Sequence, residues 1–283
     1  MLRPSPMMQP MRSKPKRASS AILYATIVAV AIGVTSVCAK PVARVSAAPA
    51  FRLKVVHVYP HDPRAFTQGL LFLDGKLYES TGLNGRSSMR RVEMASGQVE
   101  LESRLPAEFF GEGLARVGQR LIQLTWKNHK ALVWDLSTLE KESEFSYDGE
   151  GWGLCFDGTH LVMSDGSDKL TLRNPRSFAK EGDVHVRLAG RPLTSLNELE
   201  CTSQGVYANV WHDNHIARID ARTGEVTAWI DASGLLDLAE AAGADVLNGI
   251  AEMSSTGHLL VTGKLWPHLY EVEVVPDPKG GAR

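Results

Sequence analysis

Past residue 50 the apolar positions fall in short runs broken by Gly, Asp and Ser, and almost nowhere with the spacing of a helix face. Five segments repeat one theme: "FTQGLLFLDGKLYESTG", "FGEGLARVGQRLIQLTW", "EGWGLCFDGTHLVMSDG", "LNELECTSQGVYANVW" and "LNGIAEMSSTGHLLVTGK". In each, a short apolar strand leads into a polar turn, and a more alternating strand follows. Aligned on Gly69, Gly113, Gly153, Glu198 and Gly249, they recur at intervals of 44, 40, 45 and 51 residues. Each continues into a third strand and a turn, as in "RRVEMASGQVE" and "IARIDARTGEV", where "ASG" and "RTG" suit tight hairpins. A fourth strand follows, as in "VELESRL" and "KESEFSY". Four strands in a unit of roughly 45 residues mark a propeller blade. The expected fold is therefore all-β, a five-bladed β-propeller. "LKVVHVYP", ahead of the first unit, is free to complete the last blade and remove its open edge. The exception to the strand pattern is "GLLDLAEAAG" near Leu235, expected as a short helix or loop inserted in the last interval.

The first strand of each blade lines the central channel, so equivalent positions should ring it at one height. The residue before each anchor is Gln68, Glu112, Trp152, Asn197 and Asn248. Phe66 and Phe110 stand two before the first two of these. Thirteen residues after the first four anchors come Gly82, Trp126, Gly166 and Trp211, and fifteen after the fifth comes Lys264. The register thus gathers one carboxylate, amides, three indoles, two phenyl rings and one ammonium at a single mouth. An apolar wall with a few placed polar groups is the usual make-up of a small-molecule site. A carboxylate desolvated by aromatic rings should hold its proton more tightly and suit proton transfer near neutrality. The flanking glycines are expected to let the backbone bend and a ligand come close. Taken singly, each Trp reads as core packing and Asn248 as a bond between blades; the shared register argues for function.

Composition adds the setting. The 283 residues are 43% hydrophobic and 22% charged, ordinary globular values. Residues 1–48 differ, with seven Lys or Arg and no Asp or Glu, and an apolar run from Ala21 to Ala39. This is the pattern of a secretory signal, with an uncleaved membrane anchor as the alternative. The chain divides into this segment with a short linker and a catalytic domain over 49–283, expected in the periplasm or secreted. Membrane contact is expected only through a retained N-terminal segment, and a monomer is expected. Without that segment, 24 Lys or Arg face 32 Asp or Glu, a balance that argues against nucleic acid. Cys155 and Cys201 are open to pairing, but two small buried core residues are the simpler expectation. "HDNH" at 212–215 and "SDGSD" at 164–168 lack enough further ligands for a metal site. A metal-dependent lactonase-like propeller would need several carboxylate or Asn ligands converging on the axis, and the ring offers one carboxylate.

The motifs "FTQGL", "YESTGLNGRSSMRRV", "FGEGL", "LIQLTWK", "EGWGL", "SDGS", "LNELE", "YANVW", "VLNGIA" and "VTGKLWP" together resemble the plant-type glutaminyl-peptide cyclotransferases, or glutamine cyclotransferases, over residues 51–273. The resemblance implies a five-bladed propeller that cyclises the N-terminal glutamine of peptides or proteins to pyroglutamate and releases ammonia. It implies no cofactor and no catalytic metal. It puts the essential acid on Glu112 and the substrate pocket on Phe66, Gln68, Phe110, Trp126, Trp152, Asn197, Trp211 and Lys264, with Lys264 as a catalytic donor. Asn84 stands where an aromatic is commoner, at the pocket rim. Cys155 and Cys201 also depart from the family pattern. An inactive relative serving as an interaction platform is the rival reading, although such a scaffold has no need of Glu112 among indoles.

Overall fold

The computed structural model describes residues 48–237 and 242–281. All the regular elements among them are β-strands. β1 is Pro49–Pro60. Next come β2 Thr67–Leu73, β3 Lys76–Thr81, β4 Ser88–Glu93 and β5 Gln98–Arg104, then β6 Gly111–Val117, β7 Arg120–Thr125, β8 Lys130–Asp135 and β9 Lys141–Ser146. β10 Leu154–Phe156, β11 Leu161–Ser164, β12 Lys169–Arg173 and β13 Lys180–His185 precede a small hairpin of β14 Arg187–Leu188 and β15 Arg191–Pro192. β16 Leu196–Thr202, β17 Gly205–Val210, β18 His215–Ile219 and β19 Val226–Asp231 follow, and β20 Leu247–Met253, β21 His258–Gly263 and β22 His268–Gly281 end the chain.

The strands β2 to β5, β6 to β9 and β10 to β13 form three four-stranded sheets in chain order. An eight-stranded sheet runs β16-β17-β18-β19-β1-β22-β21-β20. It is two four-stranded antiparallel runs joined where β1 meets β19 in parallel, Ala50 opposite Trp229 and Arg52 opposite Asp231. As expected from "LKVVHVYP", β1 completes the last run by pairing antiparallel with β22, Leu53 opposite Val274. The parallel bridge to β19 was not expected. β2 packs against β6, β6 against β10, β10 against β16, β16 against β20, and β20 back against β2.

Burial falls from these first strands outward. β6 is buried from Gly111 to Ala115, whereas in β9, "KESEFS", only Phe145 is partly covered. Neighbours on a strand face opposite ways, so each inner strand needs apolar residues on both faces. Leu114 joins Met89, Leu121, Leu132 and Trp134 on one side of its sheet. Ala115, the next residue, joins Ile122, Leu154 and Phe178 on the other. This explains why first strands read as apolar runs and later ones as alternation.

Two expectations change or fall outside this description. Cys155 of β10 and Cys201 of β16 are not separate core thiols but a disulfide, with Cα atoms 5.4 Å apart. The structure corrects the simpler reading because the two first strands run side by side and bring the sulfurs together. The export or anchor segment and residues 238–241 of "GLLDLAEAAG" lie outside the described residues, while 233–236 form turns and bends.

Candidate active site

Four of the first strands carry a bulge at the position singled out by the repeat. The β2/β3 ladder slips between Thr67 and Gly69, β6/β7 between Gly111 and Leu114, β16/β17 between Leu196 and Leu199, and β20/β21 between Leu247 and Ile250. Gln68, Glu112, Asn197 and Asn248 fall in those slips, and Trp152 just precedes β10. A bulge releases a residue from the ladder and re-aims its side chain. That is what Glu112 gains from its two glycines. The ligand-approach reading of the glycines is corrected: a Cβ on Gly113 would lie 2.4 Å from Leu154 N and 2.6 Å from Trp152 O, both backbone of the neighbouring sheet. Gly113 N in fact donates to Trp152 O at 2.7 Å.

The starts of the first strands and the ends of the second strands lie at one edge of the sheets. There a cavity of roughly 250 Å³ is lined by Phe66, Gln68, Phe110, Glu112, Trp126, Trp152, Asn197, Trp211 and Lys264, together with His212 and Asp245. All nine residues expected from the sequence meet in it. Phe66 and Phe110 meet edge to face at 6.0 Å, Phe110 and Trp126 at 5.7 Å, and Trp152 and Trp211 at 5.4 Å. These are favourable aromatic geometries. Gly82 and Gly166, which occupy the Trp position of their own units, leave room for the rings of Phe110 and Trp152. Trp211, 41% exposed, forms the rim.

Glu112 is 4% exposed, and its carboxyl has no hydrogen-bond partner among the described residues. Burial raises its pKa well above the usual carboxylate range; the positive charge of Lys264 opposes this and the negative charge of Glu150 adds to it. Lys264 is 5% exposed, with its ammonium 4.9 Å from the centre of the Phe66 ring. Burial lowers its pKa, while Glu112 and Asp245 pull the other way. Gln68 Oε1 accepts from Asn248 Nδ2 at 3.2 Å, which leaves Gln68 Nε2 as a donor. Asn248 Nδ2 also donates to Thr67 O at 2.8 Å and so ties β20 to β2, in keeping with its reading as a bond between units.

Four acidic or basic groups here were missed. Glu150, in the loop before β10, accepts from Trp126 Nε1 at 2.7 Å and Trp152 Nε1 at 3.1 Å. Asp245 adds a second carboxylate to the mouth. His212, weighed only as a metal ligand, has φ 61° and lies 4.1 Å from Trp211. Its presumed partner His215 turns away to Asp213 and Trp229. Glu198, used as an alignment anchor in place of a glycine, is fully buried and accepts from Leu70 N and Ile250 N. Trp152 and Trp211 are chain neighbours of Glu150 and His212, whereas Trp126, Leu70 and Ile250 lie in other segments, and only the folded sheets bring those partners in. In the "SDGSD" segment, Asp165 accepts from Ser167 N and pairs with Lys169. Among the described residues no group of three or more His, Cys, Asp or Glu is placed to hold a metal. Asn84 donates to Glu108 O at 2.9 Å, and so braces the segment leading to Phe110.

The family model described as glutamine cyclotransferase matches residues 27–274. A protein named glutaminyl-peptide cyclotransferase from Arabidopsis thaliana is 44% identical over 229 residues, which is 78% of this chain and 71% of its own length. The crystal structure of Myxococcus xanthus glutaminyl cyclase superposes with a TM-score of 0.74 at 40% identity, covering 81% of this chain and 99% of that one.

Proposed function

The chain belongs to the glutamine cyclotransferase family and is by homology a glutaminyl-peptide cyclotransferase; from that premise we propose that it closes the N-terminal glutamine of peptides or proteins to pyroglutamate, with release of ammonia, in the cavity around Glu112. The observation that carries this is a buried carboxyl, without a hydrogen-bond partner among the described residues, lining an aromatic cavity together with a buried ammonium. The sheets are read as a five-bladed β-propeller, supported by the cyclic packing of β2, β6, β10, β16 and β20. Residues 49–283 form the catalytic domain and 1–48 an export segment or anchor. The Cys155–Cys201 bridge supports an oxidising, extracytoplasmic setting.

Nucleophile and electrophile belong to one residue, so the protein has to hold the folded-back conformer and move protons. An α-amino group has a pKa near ~8 and keeps a usable neutral fraction at neutral pH. Its nitrogen attacks the side-chain carboxamide carbon, and the carbonyl π pair moves to oxygen. Lys264, Gln68 Nε2 and Asn197 supply donors for that oxyanion. Ionised Glu112 takes a proton from the attacking nitrogen and passes it to the departing amide nitrogen. The C–N bond to that nitrogen breaks, ammonia leaves, and the oxyanion collapses to the lactam carbonyl. The indoles and phenyl rings pack the methylene chain and keep water from competing as nucleophile. The reaction is metal-independent in this reading, every step being assigned to a side chain. Mass spectrometry of Gln-initiated peptides should show loss of one ammonia with the wild-type protein. Glu112→Gln should fold and lose roughly 10²- to 10⁴-fold in rate. A near wild-type rate in that variant would sink the assignment.

A further inference from the structure

The two indole N–H groups of Trp126 and Trp152 converge on one oxygen. Trp126 follows β7 and Trp152 precedes β10, so they come from different sheets. Trp126 Nε1 lies 2.7 Å and Trp152 Nε1 3.1 Å from Glu150 Oε2. The other oxygen, Oε1, is 3.5 Å from Lys127 Nζ, which itself sits 3.8 Å above the Trp126 ring. Glu150 is not among the residues lining the cavity. Its side chain is 39% exposed, so it serves no buried core.

We propose that Glu150 is a positioning residue for the cyclisation, holding the Trp126 and Trp152 indoles so that they turn apolar faces to the glutamine side chain and keep their N–H groups away from it. This rests on the reading of the cavity as the substrate pocket. Trp126 packs against Phe110 and under Lys127, and Trp152 against Trp211 and over Gly166, contacts that grip the ring faces and leave the N–H groups to Glu150. An indole free to swing would offer its N–H to the carboxamide oxygen and compete with the donors on Lys264 and Gln68. It would also open a path for water. A carboxylate accepting two N–H bonds prevents both, because charge-assisted hydrogen bonds are about twice as strong as neutral ones. The same charge adds to the burial that holds the Glu112 carboxyl high, so charge and orientation have to be separated by experiment.

Glu150→Ala, Glu150→Gln, Trp126→Phe with Trp152→Phe, and the triple variant carrying Glu150→Ala separate them. Removing an acceptor of two N–H bonds at a half-exposed site should lower kcat/KM about tenfold, mostly through KM. Glu150→Gln keeps a carbonyl acceptor without the charge and should recover to within about threefold. On the double-Phe background, Glu150→Ala should change kcat/KM by less than about twofold, because the groups it acts through are gone. An undiminished Glu150→Ala, or an equal loss on the double-Phe background, would overturn the proposal. So would a Glu150→Gln variant as slow as Glu150→Ala. Indole fluorescence of the protein without substrate gives an arm independent of the reaction. Emission from Trp126 and Trp152, taken as the difference from the double-Phe variant, should shift in Glu150→Ala and not in Glu150→Gln. If wild-type protein cyclised no peptide, this arm would still test the clamp and only the substrate reading would fail.

Discussion

At the scale of single residues, Glu112 and Lys264 are coupled opposites. Both are buried, and burial pushes each toward its neutral form, raising the acid and lowering the amine. Each also supplies part of the charge that resists this in the other. If ionised Glu112 is the base, kcat/KM rises with pH as Glu112 loses its proton, and this acidic limb lies above the ordinary carboxylate range. Lys264→Met keeps the length of the side chain and removes the charge that favours the carboxylate. It should therefore lower kcat/KM by roughly 10² or more through the lost oxyanion donor. It should also move the acidic limb to higher pH, which pH–rate profiles of the two proteins would reveal. A limb that stayed in place, or moved down, would mean that the limb does not report Glu112. Nine of the eleven lining residues were legible in the sequence because all of them but Lys264, two places late, stand at a fixed offset in a repeat. Glu150 stands two before its ring position, as Phe66 and Phe110 do before theirs, but it is a carboxylate where they are rings; Asp245 and His212 likewise match no residue type shared by the other units.

The elements explain why the register works. Each first strand packs between two others, and in β2, β6 and β16 a bulge there aims Gln68, Glu112 and Asn197 into the cavity. Alternation and turn residues made the strands and their order readable, including the return of β1 to β22. A bulge inserts one residue into a short apolar run and leaves little mark in the sequence; a glycine accompanies it in β2, β6 and β20 but not in β16. Gly113 is the sharpest case. A methyl group there would overlap Leu154 N at 2.4 Å and Gly153 C at 2.6 Å. Those atoms belong to a neighbouring backbone and cannot rotate aside as a side chain would. Gly113→Ala should thus cost about 1–3 kcal/mol of stability, seen as a lower thermal midpoint. Activity should fall further than stability alone requires, because the strand must shift with Glu112 on it. A variant with unchanged midpoint and rate would show that the close approach of β6 and β10 is not needed.

In the whole molecule, β16 is tied to three other first strands by covalent and buried polar links. Cys201 bonds it to Cys155 of β10. Glu198 carries one oxygen to Ile250 N of β20 at 2.9 Å and the other to Leu70 N of β2 at 3.3 Å. Glu200 accepts from Glu252 N of β20 at 2.8 Å. Closure was readable from the repeat, but not that buried acids would secure it, since a Glu in a strand ordinarily faces water. These acids give the fold a pH dependence with a definite sign. Burial pushes Glu200 up to about 8 from an ordinary 4.5. Between those values the folded chain keeps a proton that the unfolded chain has released, so stability falls as pH rises through that window. The slope from one such group is at most about 1.4 kcal/mol per pH unit. Glu198 and Glu112, also raised by burial, act in the same direction. Glu79 acts oppositely: burial would raise it, but Arg90 and His61 outweigh burial and hold it low. Its contribution is lost as pH falls below the ordinary carboxylate value. Glu200→Gln retains a carbonyl oxygen for Glu252 N and removes the titration. Denaturant midpoints measured from pH 5.5 to 8.5 should decline in the wild-type protein and decline less steeply in this variant. Parallel curves would mean that Glu200 does not hold its proton in the folded state, and that the tie between β16 and β20 is made by a carboxylate after all.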